Sequence, residues 1–191
     1  MSQKVLGRVS EIIPSKLYLS DITAALDISV IKHFTITHIV NATNGAAPNT
    51  FPDILYHNVD IEDTEEADIS SHLTESHVFI SSALAGGGCL LVHCMAGVSR
   101  SSSITIHHIM MTGYSLRDAV KMVKTARPVV QPNTAFAKAL VVAEKRERGE
   151  NTMSWEEICG RGGRRLGGRG EEDIKNMMDG FGREEGRCLV L

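Results

Sequence analysis

The residues that most constrain this chain run from His93 to Ser101 and read HCMAGVSRS. Just before them, the apolar run Cys89-Leu90-Leu91-Val92 predicts a buried strand. Just after them, Ser101-Ser102-Ser103-Ile104-Thr105-Ile106 opens a predicted helix. The chain must therefore turn from strand to helix within a few residues, around Gly97. A strand, a tight loop and a helix N-terminus make an anion site, because backbone N–H groups point inward and the helix dipole favours negative charge. A phosphate fits such a cradle, held by the amides of Met95, Ala96, Gly97, Val98 and Ser99. Arg100 can grip two of its oxygens with its planar fork. The same field stabilises a thiolate at Cys94, since cysteine pKa values at helix N-termini beside cations fall to roughly 3.5–7.5. One loop therefore holds a phosphate and a charged nucleophile aimed at its phosphorus. His93, at the strand end, is expected to hydrogen-bond the loop and help keep the thiolate charged, with no part in proton transfer.

The rest of the chain predicts an α/β fold, a central mostly parallel sheet of about five strands flanked by helices. Apolar runs at residues 7–12, 16–19, 37–42, 55–61 and 89–93 read as strands. Ile69, Leu73, Ile80 and Leu84 share one helical face, closed by Gly86-Gly87-Gly88. Residues 21–34 read as one further helix. The helix after the loop should stop at Gly113, and the next should begin at Ser115 with Asp118 at capping-box spacing. That helix should end before Arg127-Pro128, since a residue preceding proline avoids helical geometry. Asn133 should cap a last helix running to Gly149. In such sheets ligands bind beyond the C-terminal ends of the strands, which is where Cys94 falls.

Attack by Cys94 requires a proton donor for the departing oxygen, best supplied by a carboxylic acid on a neighbouring loop. The segment from Asp60 to Asp68 follows a strand and precedes a helix, and it carries six acids. Strand alternation from Tyr56 leaves Asp63 as the first acid beyond the strand, with Asp60 as its rival. Asp68 is better placed to serve the start of the following helix. Ser101 can satisfy helix N-terminal donors or donate to the sulfur.

HCMAGVSRS matches the HCxxGxxR[ST] signature of the cysteine-dependent protein phosphatases, and the chain resembles the small, atypical dual-specificity members. The likeness extends over Pro14-Ser15-Lys16-Leu17-Tyr18-Leu19-Ser20, over Ile39-Val40-Asn41-Ala42-Thr43 with Pro48-Asn49, and over Ala126-Arg127-Pro128-Val129-Val130-Gln131-Pro132-Asn133. It implies a cysteinyl-phosphate mechanism without metal or cofactor, acting on phosphotyrosine and phosphoserine or phosphothreonine. The acid of that family lies seven residues after the tyrosine matching Tyr56, which picks Asp63. Ser101 matches a position that aids thiolate departure. Arg127 matches a position at the pocket rim that contacts substrate charge. Phosphorylated proteins are the implied partners, MAP-kinase-type signalling proteins among them. No segment before the first strands is long enough for a deep phosphotyrosine-only wall. Two departures stand out. Phe136 is followed by Ala137 where relatives often carry an aromatic, and Met95 fills a usually small or polar position. The signature also serves RNA 5′-phosphates, phosphoinositides and phosphoglycans. A phosphate-binding pseudophosphatase scaffold would share the cradle, although the intact Cys94 speaks against it.

Composition sets the remaining bounds. The 191 residues allow one domain, expected at 7–151, and a tail at 152–191. The net charge of −3 supplies no global field for nucleic acid. The four cysteines, Cys89, Cys94, Cys159 and Cys188, show no CxxC pair and argue for a reducing, cytoplasmic or nuclear setting. The eight histidines show no metal-ligand spacing. The arginine–glycine run at 160–170 reads as a flexible linker, although such runs also occur in RNA-binding tails. A turn or two of helix is expected at 173–178, and Trp155 is placed to dock the start of the tail. Cys188-Leu189-Val190-Leu191 fits the C-a-a-X prenylation pattern, the one route by which membrane association is expected.

Overall fold

A computed structural model describes residues 7–45 and 51–160. The Pro48-Asn49 loop, residues 161–170 of the arginine–glycine run, the turn at 173–178 and Cys188 lie outside the described residues. Five strands form one sheet: β1 (Val9–Ile13), β2 (Leu17–Ser20), β3 (His38–Asn41), β4 (Leu55–Asn58) and β5 (Leu90–His93), in the order β1-β2-β5-β3-β4. β1 pairs antiparallel with β2, and the other pairings are parallel. β5 therefore sits at the centre, with all four of its residues buried. Its side chains alternate between two layers. Leu90 and Val92 enter the main core with Leu17, Leu19 and Val40, whereas Leu91 faces a second cluster with Tyr18 and Ile39. Each fully buried aliphatic of this kind contributes about 1.5–3 kcal/mol of transfer free energy.

The helices are α1 (Ile22–Ala25), α2 (Ile28–His33), α3 (Ser70–Ala85), α4 (Arg100–Met111), α5 (Leu116–Ala126), α6 (Thr134–Arg148) and α7 (Trp155–Ile158). α4 runs through the middle, and eleven of its residues, Arg100 to Met110, are buried. Its hydroxyls are satisfied on the preceding turn: Ser102 donates to Val98 O and Ser99 O, Ser103 to Ser99 O and Thr105 to Ser101 O. Two expected caps are present: Ser115 Oγ accepts from Asp118 N at 3.1 Å, and Asn133 Oδ1 accepts from Phe136 N at 2.9 Å. Asp68 Oδ1 accepts from Ser70 N at 2.9 Å from one residue ahead of Ile69, the N-cap of α3, which has no side-chain cap bond. Gly149 adopts φ 77° beyond the end of α6, a left-handed conformation that favours glycine.

Three local expectations are corrected. The single helix expected at 21–34 is two, because Asp27 Oδ1 takes Ser29 N at 2.8 Å and starts a second helix. β4 ends at Asn58, short of the expected residue 61. The packed chain continues past Asn151, since Met153, Ile158 and Cys159 are buried in the main core. The buried Glu144 carboxylate holds this extension by accepting from Thr152 N at 2.8 Å, Thr152 Oγ1 at 2.7 Å and Leu116 N at 2.7 Å. No helix among the described residues is long and apolar enough to cross a membrane.

Three histidines that look scattered in sequence meet between α3 and α4. His77 Nδ1 lies 3.1 Å from His108 Nδ1, and the His77 ring packs edge-on to His107. Burial pulls the pKa of His107 down to about 4 and that of His108 to about 3. The folded protein thus binds fewer protons than the unfolded chain wherever the pH lies between these values and 6.5. The stability these residues contribute is complete above pH 6.5 and is lost as pH falls through that window. On the order of several kcal/mol should disappear between about pH 7 and about pH 4. Urea unfolding across this range should show a shallower loss for His108→Leu. An unchanged slope in that variant would remove the cluster from the account.

Candidate active site

β5 ends at His93, and residues 94–99 turn directly into α4 at Arg100. The turn depends on Gly97, whose φ is 68°. A Cβ there would lie 2.5 Å from Ser20 O and 2.7 Å from Arg127 Nη2, so any side chain would clash. The loop carbonyls from Met95 to Ser99 find donors on the outside. Met95 O accepts from Ile22 N, Ala96 O and Gly97 O from Arg127, Val98 O from Gln131 N, and Ser99 O from Ser103 N. Each peptide is planar, so an outward carbonyl leaves the next N–H facing inward. The loop is therefore a cup lined with amides.

Cys94 lies at the bottom of this cup. Its Sγ accepts from Gly97 N at 3.2 Å and from Ser101 Oγ at 3.1 Å. Burial alone raises a thiol pKa. Here the Ser101 hydroxyl and the amides of Ser101, Val98 and Gly97 outweigh it, and the Cys94 pKa falls below 9.0. Arg100 is 6% exposed, and its Nη1 donates to Ile61 O at 3.3 Å. Its Nε makes no hydrogen bond within the protein and has the Asp63 carboxylate 3.6 Å away. Met95 is 46% exposed and Ala96 is exposed, so the loop's near side forms the mouth. Burial pulls the His93 pKa down to about 4, against smaller opposing effects of a backbone hydrogen bond at Cys94 and the Asp21 charge. His93 is thus neutral, and any support it gives the thiolate comes through packing and hydrogen bonding, not a positive charge.

The acidic segment folds over the cup. Asp63 Oδ1 accepts from Ser99 Oγ at 2.7 Å and from Asn133 Nδ2 at 2.9 Å, while Oδ2 lies 3.6 Å from Arg100 Nε. Asp60 is exposed, and among the described residues it has no hydrogen bond to the loop. Glu65 accepts from Thr134 N at 3.2 Å and Ala135 N at 3.1 Å, which ties the same segment to the start of α6. Ser99 and Asn133 were foreseen as a loop amide and a helix cap, not as holders of Asp63. Asn133 does both, capping with Oδ1 and holding with Nδ2.

Arg127 departs from the rim position that the resemblance implies. It is 8% exposed and lies behind the loop. Its donors end on Gly97 O at 2.8 Å, Ala96 O at 3.1 Å and Arg8 O at 3.0 Å. A guanidinium occupied by these carbonyls is not presented to a substrate at the mouth.

Residues 17–146 match the dual specificity phosphatase catalytic domain. Dual specificity protein phosphatase Mpk3 of Drosophila melanogaster is 37% identical over 142 residues, covering 72% of this chain and 34% of that protein. Dual specificity protein phosphatase 1 of Arabidopsis thaliana is 35% identical over 138 residues, covering 72% of this chain and 70% of that protein. The chain thus spans about a third of the first relative's length and 70% of the second's. A mouse putative dual specificity phosphatase, solved with zinc tungstate, superposes with a TM-score of 0.72 at 28% identity, covering 78% of this chain and 94% of that one.

Proposed function

This chain belongs to the dual specificity phosphatase family, and from that membership we propose that it hydrolyses phosphotyrosine and phosphoserine or phosphothreonine in proteins through a cysteinyl-phosphate. The observation that carries the proposal is the placement of Cys94 Sγ at the floor of an amide-lined cup, with the Asp63 carboxyl held above it by Ser99 and Asn133. Cys94 attacks phosphorus in line, and the S–P bond forms as the bond to the leaving oxygen breaks. Arg100 and the amides stabilise the equatorial oxygens, where charge is concentrated in the transition state. Asp63 protonates the leaving oxygen. It then takes a proton from the water that attacks the phosphocysteine. The S–P bond breaks, and the Ser101 hydroxyl, 3.1 Å from Sγ, donates to the departing thiolate.

The catalytic unit on this reading comprises the packed chain through Gly160. Phosphorylated signalling proteins, the MAP-kinase type among them, are its proposed substrates. Lipid at Cys188 is the proposed route to any membrane. Phosphate release is expected from phosphotyrosine, phosphoserine and phosphothreonine peptides alike. An RNA 5′-triphosphate, a phosphoinositide and a phosphoglycan complete the panel. Turnover confined to one of those three would replace the protein-phosphatase reading, and tungstate binding without any turnover would leave a phosphate-binding scaffold.

A further inference from the structure

We propose that Arg127 is a positioning residue that sets the amide orientation of the 94–99 loop, and so its affinity for phosphate, without touching the substrate. The inference rests on the reading of that loop as the phosphate cradle. Three features of the fold converge on it.

The first is the geometry of the fork. Nε and Nη2 take two successive carbonyls, Gly97 O at 2.8 Å and Ala96 O at 3.1 Å. Two carbonyls fixed outward fix the N–H groups of Gly97 and Val98 inward, and both amides act on Cys94 Sγ. The remaining arm, Nη1, donates to Arg8 O at 3.0 Å and Ser10 Oγ at 3.4 Å, which anchors the loop to β1. Only a planar, multi-donor head can span these acceptors; a lysine ammonium is a point donor.

The second is the approach. Arg127 is the C-cap of α5, with φ −138° and ψ 90°, and Pro128 follows it. The proline holds Arg127 extended at the helix end, from which its side chain reaches back to the loop. The guanidinium then rests against Gly97 so closely that a Cβ there would lie 2.7 Å from Nη2.

The third is charge. Burying a cation without a directly paired anion is costly. Arg127 is 8% exposed and its hydrogen bonds end on carbonyls and a hydroxyl. The nearby carboxylate, Asp21, is itself held by Arg8 Nη1 at 2.6 Å. Asp21 and Cys94 attract the guanidinium through space. An anion in the cup, whether thiolate or phosphoryl group, adds the compensating charge.

The test compares Arg127→Met and Arg127→Lys with the parent protein. Three quantities are read: the Kd for tungstate, the pH dependence of Cys94 alkylation by iodoacetamide, and the thermal melt. Arg127→Met should weaken tungstate by about 10- to 100-fold, the worth of a hydrogen bond to a charged group. Its alkylation midpoint should move to higher pH. Arg127→Lys keeps the charge and loses the fork, so tungstate affinity should remain weak and its alkylation midpoint should rise by less than that of Arg127→Met. The loss in kcat/KM should be equal for a small aryl phosphate and a phosphopeptide, because the loop serves both. A loss confined to charged peptides would restore the rim role and overturn the proposal. A folded Arg127→Met with parental tungstate affinity and alkylation profile would reduce Arg127 to a structural residue. If Arg127→Met does not fold, parental tungstate affinity in Arg127→Lys has the same force. Neither binding nor alkylation needs turnover. A parent protein that hydrolyses nothing, with variants that respond as stated, would sink the catalytic reading and leave the positioning role standing.

Discussion

Cys94→Ser should abolish turnover and keep the binding of phosphate-like anions. The hydroxyl is a far weaker nucleophile at neutral pH, because only a lowered pKa or an adjacent base activates it, and the hydrogen-bond partners of the position-94 side chain are the donors Gly97 N and Ser101 Oγ. Neutral His93 makes its contact at the Cys94 backbone. The amides of Gly97 and Val98, the Ser101 hydroxyl and the Arg100 guanidinium all remain, so tungstate should still bind. The thiol pKa lies below 9.0, so alkylation of the parent protein should rise with pH through a midpoint below that value. The linkage has a definite sign. A thiol pKa depressed on folding stabilises the native state above the unfolded pKa, and that stability is lost as pH falls through the folded value. The melting temperature of the parent should therefore gain on that of Cys94→Ser as pH rises toward 9.0. Brief peroxide should inactivate the parent reversibly, since a thiolate oxidises first to sulfenic acid. Appreciable turnover by Cys94→Ser would end the phosphocysteine mechanism.

The catalytic loop was legible because its chemistry depends on residue types at fixed spacing between a strand and a helix. Cys94, Gly97, Arg100 and Ser101 declare themselves that way. Arg127 did not, because its role lies in which carbonyls it meets. Residue type announces a cation; it does not tell that Ala96 O and Gly97 O wait behind the loop. Asn133 shows a related limit. The capping signal was visible and true, yet it consumed only the Oδ1 atom and left Nδ2 free to reach Asp63, seventy residues away in sequence. The two short helices at α1 and α2 were within reach, since Asp27-Ile28-Ser29 is a capping signature inside the stretch assigned to one helix. The docking of 152–160 was half visible through Trp155. The anchor that decides it is a buried carboxylate on α6, Glu144, and an internal glutamate on a helical face reads as solvated.

Asp63→Asn should cost about 10²–10⁴-fold in kcat/KM on a phosphopeptide, the usual worth of general acid catalysis. The substitution is conservative for structure. An asparagine Oδ1 can still accept from Ser99 Oγ and Asn133 Nδ2, which hold the present carboxyl at 2.7 Å and 2.9 Å. The acidic segment should therefore stay in place, helped by Glu65 at the start of α6. What disappears is the proton. The loss should then follow the need of the leaving group. It should be largest for a phosphoserine alkoxide, smaller for a phosphotyrosine phenoxide, and nearly absent for an activated aryl phosphate whose phenoxide departs unaided. The pH profile separates this from misfolding. The acidic limb, set by thiolate formation at Cys94, should persist in the variant. The basic limb should flatten once the donor is gone. Asp60→Asn is the control, because Asp60 lacks the Ser99 and Asn133 hydrogen bonds that Asp63 makes and sits back toward β4. It should change neither the leaving-group dependence nor the basic limb. If Asp60→Asn shows both effects and Asp63→Asn shows neither, the proton comes from the other end of the segment. The hydrogen bonds from Ser99 and Asn133 would then serve only to fasten the loop.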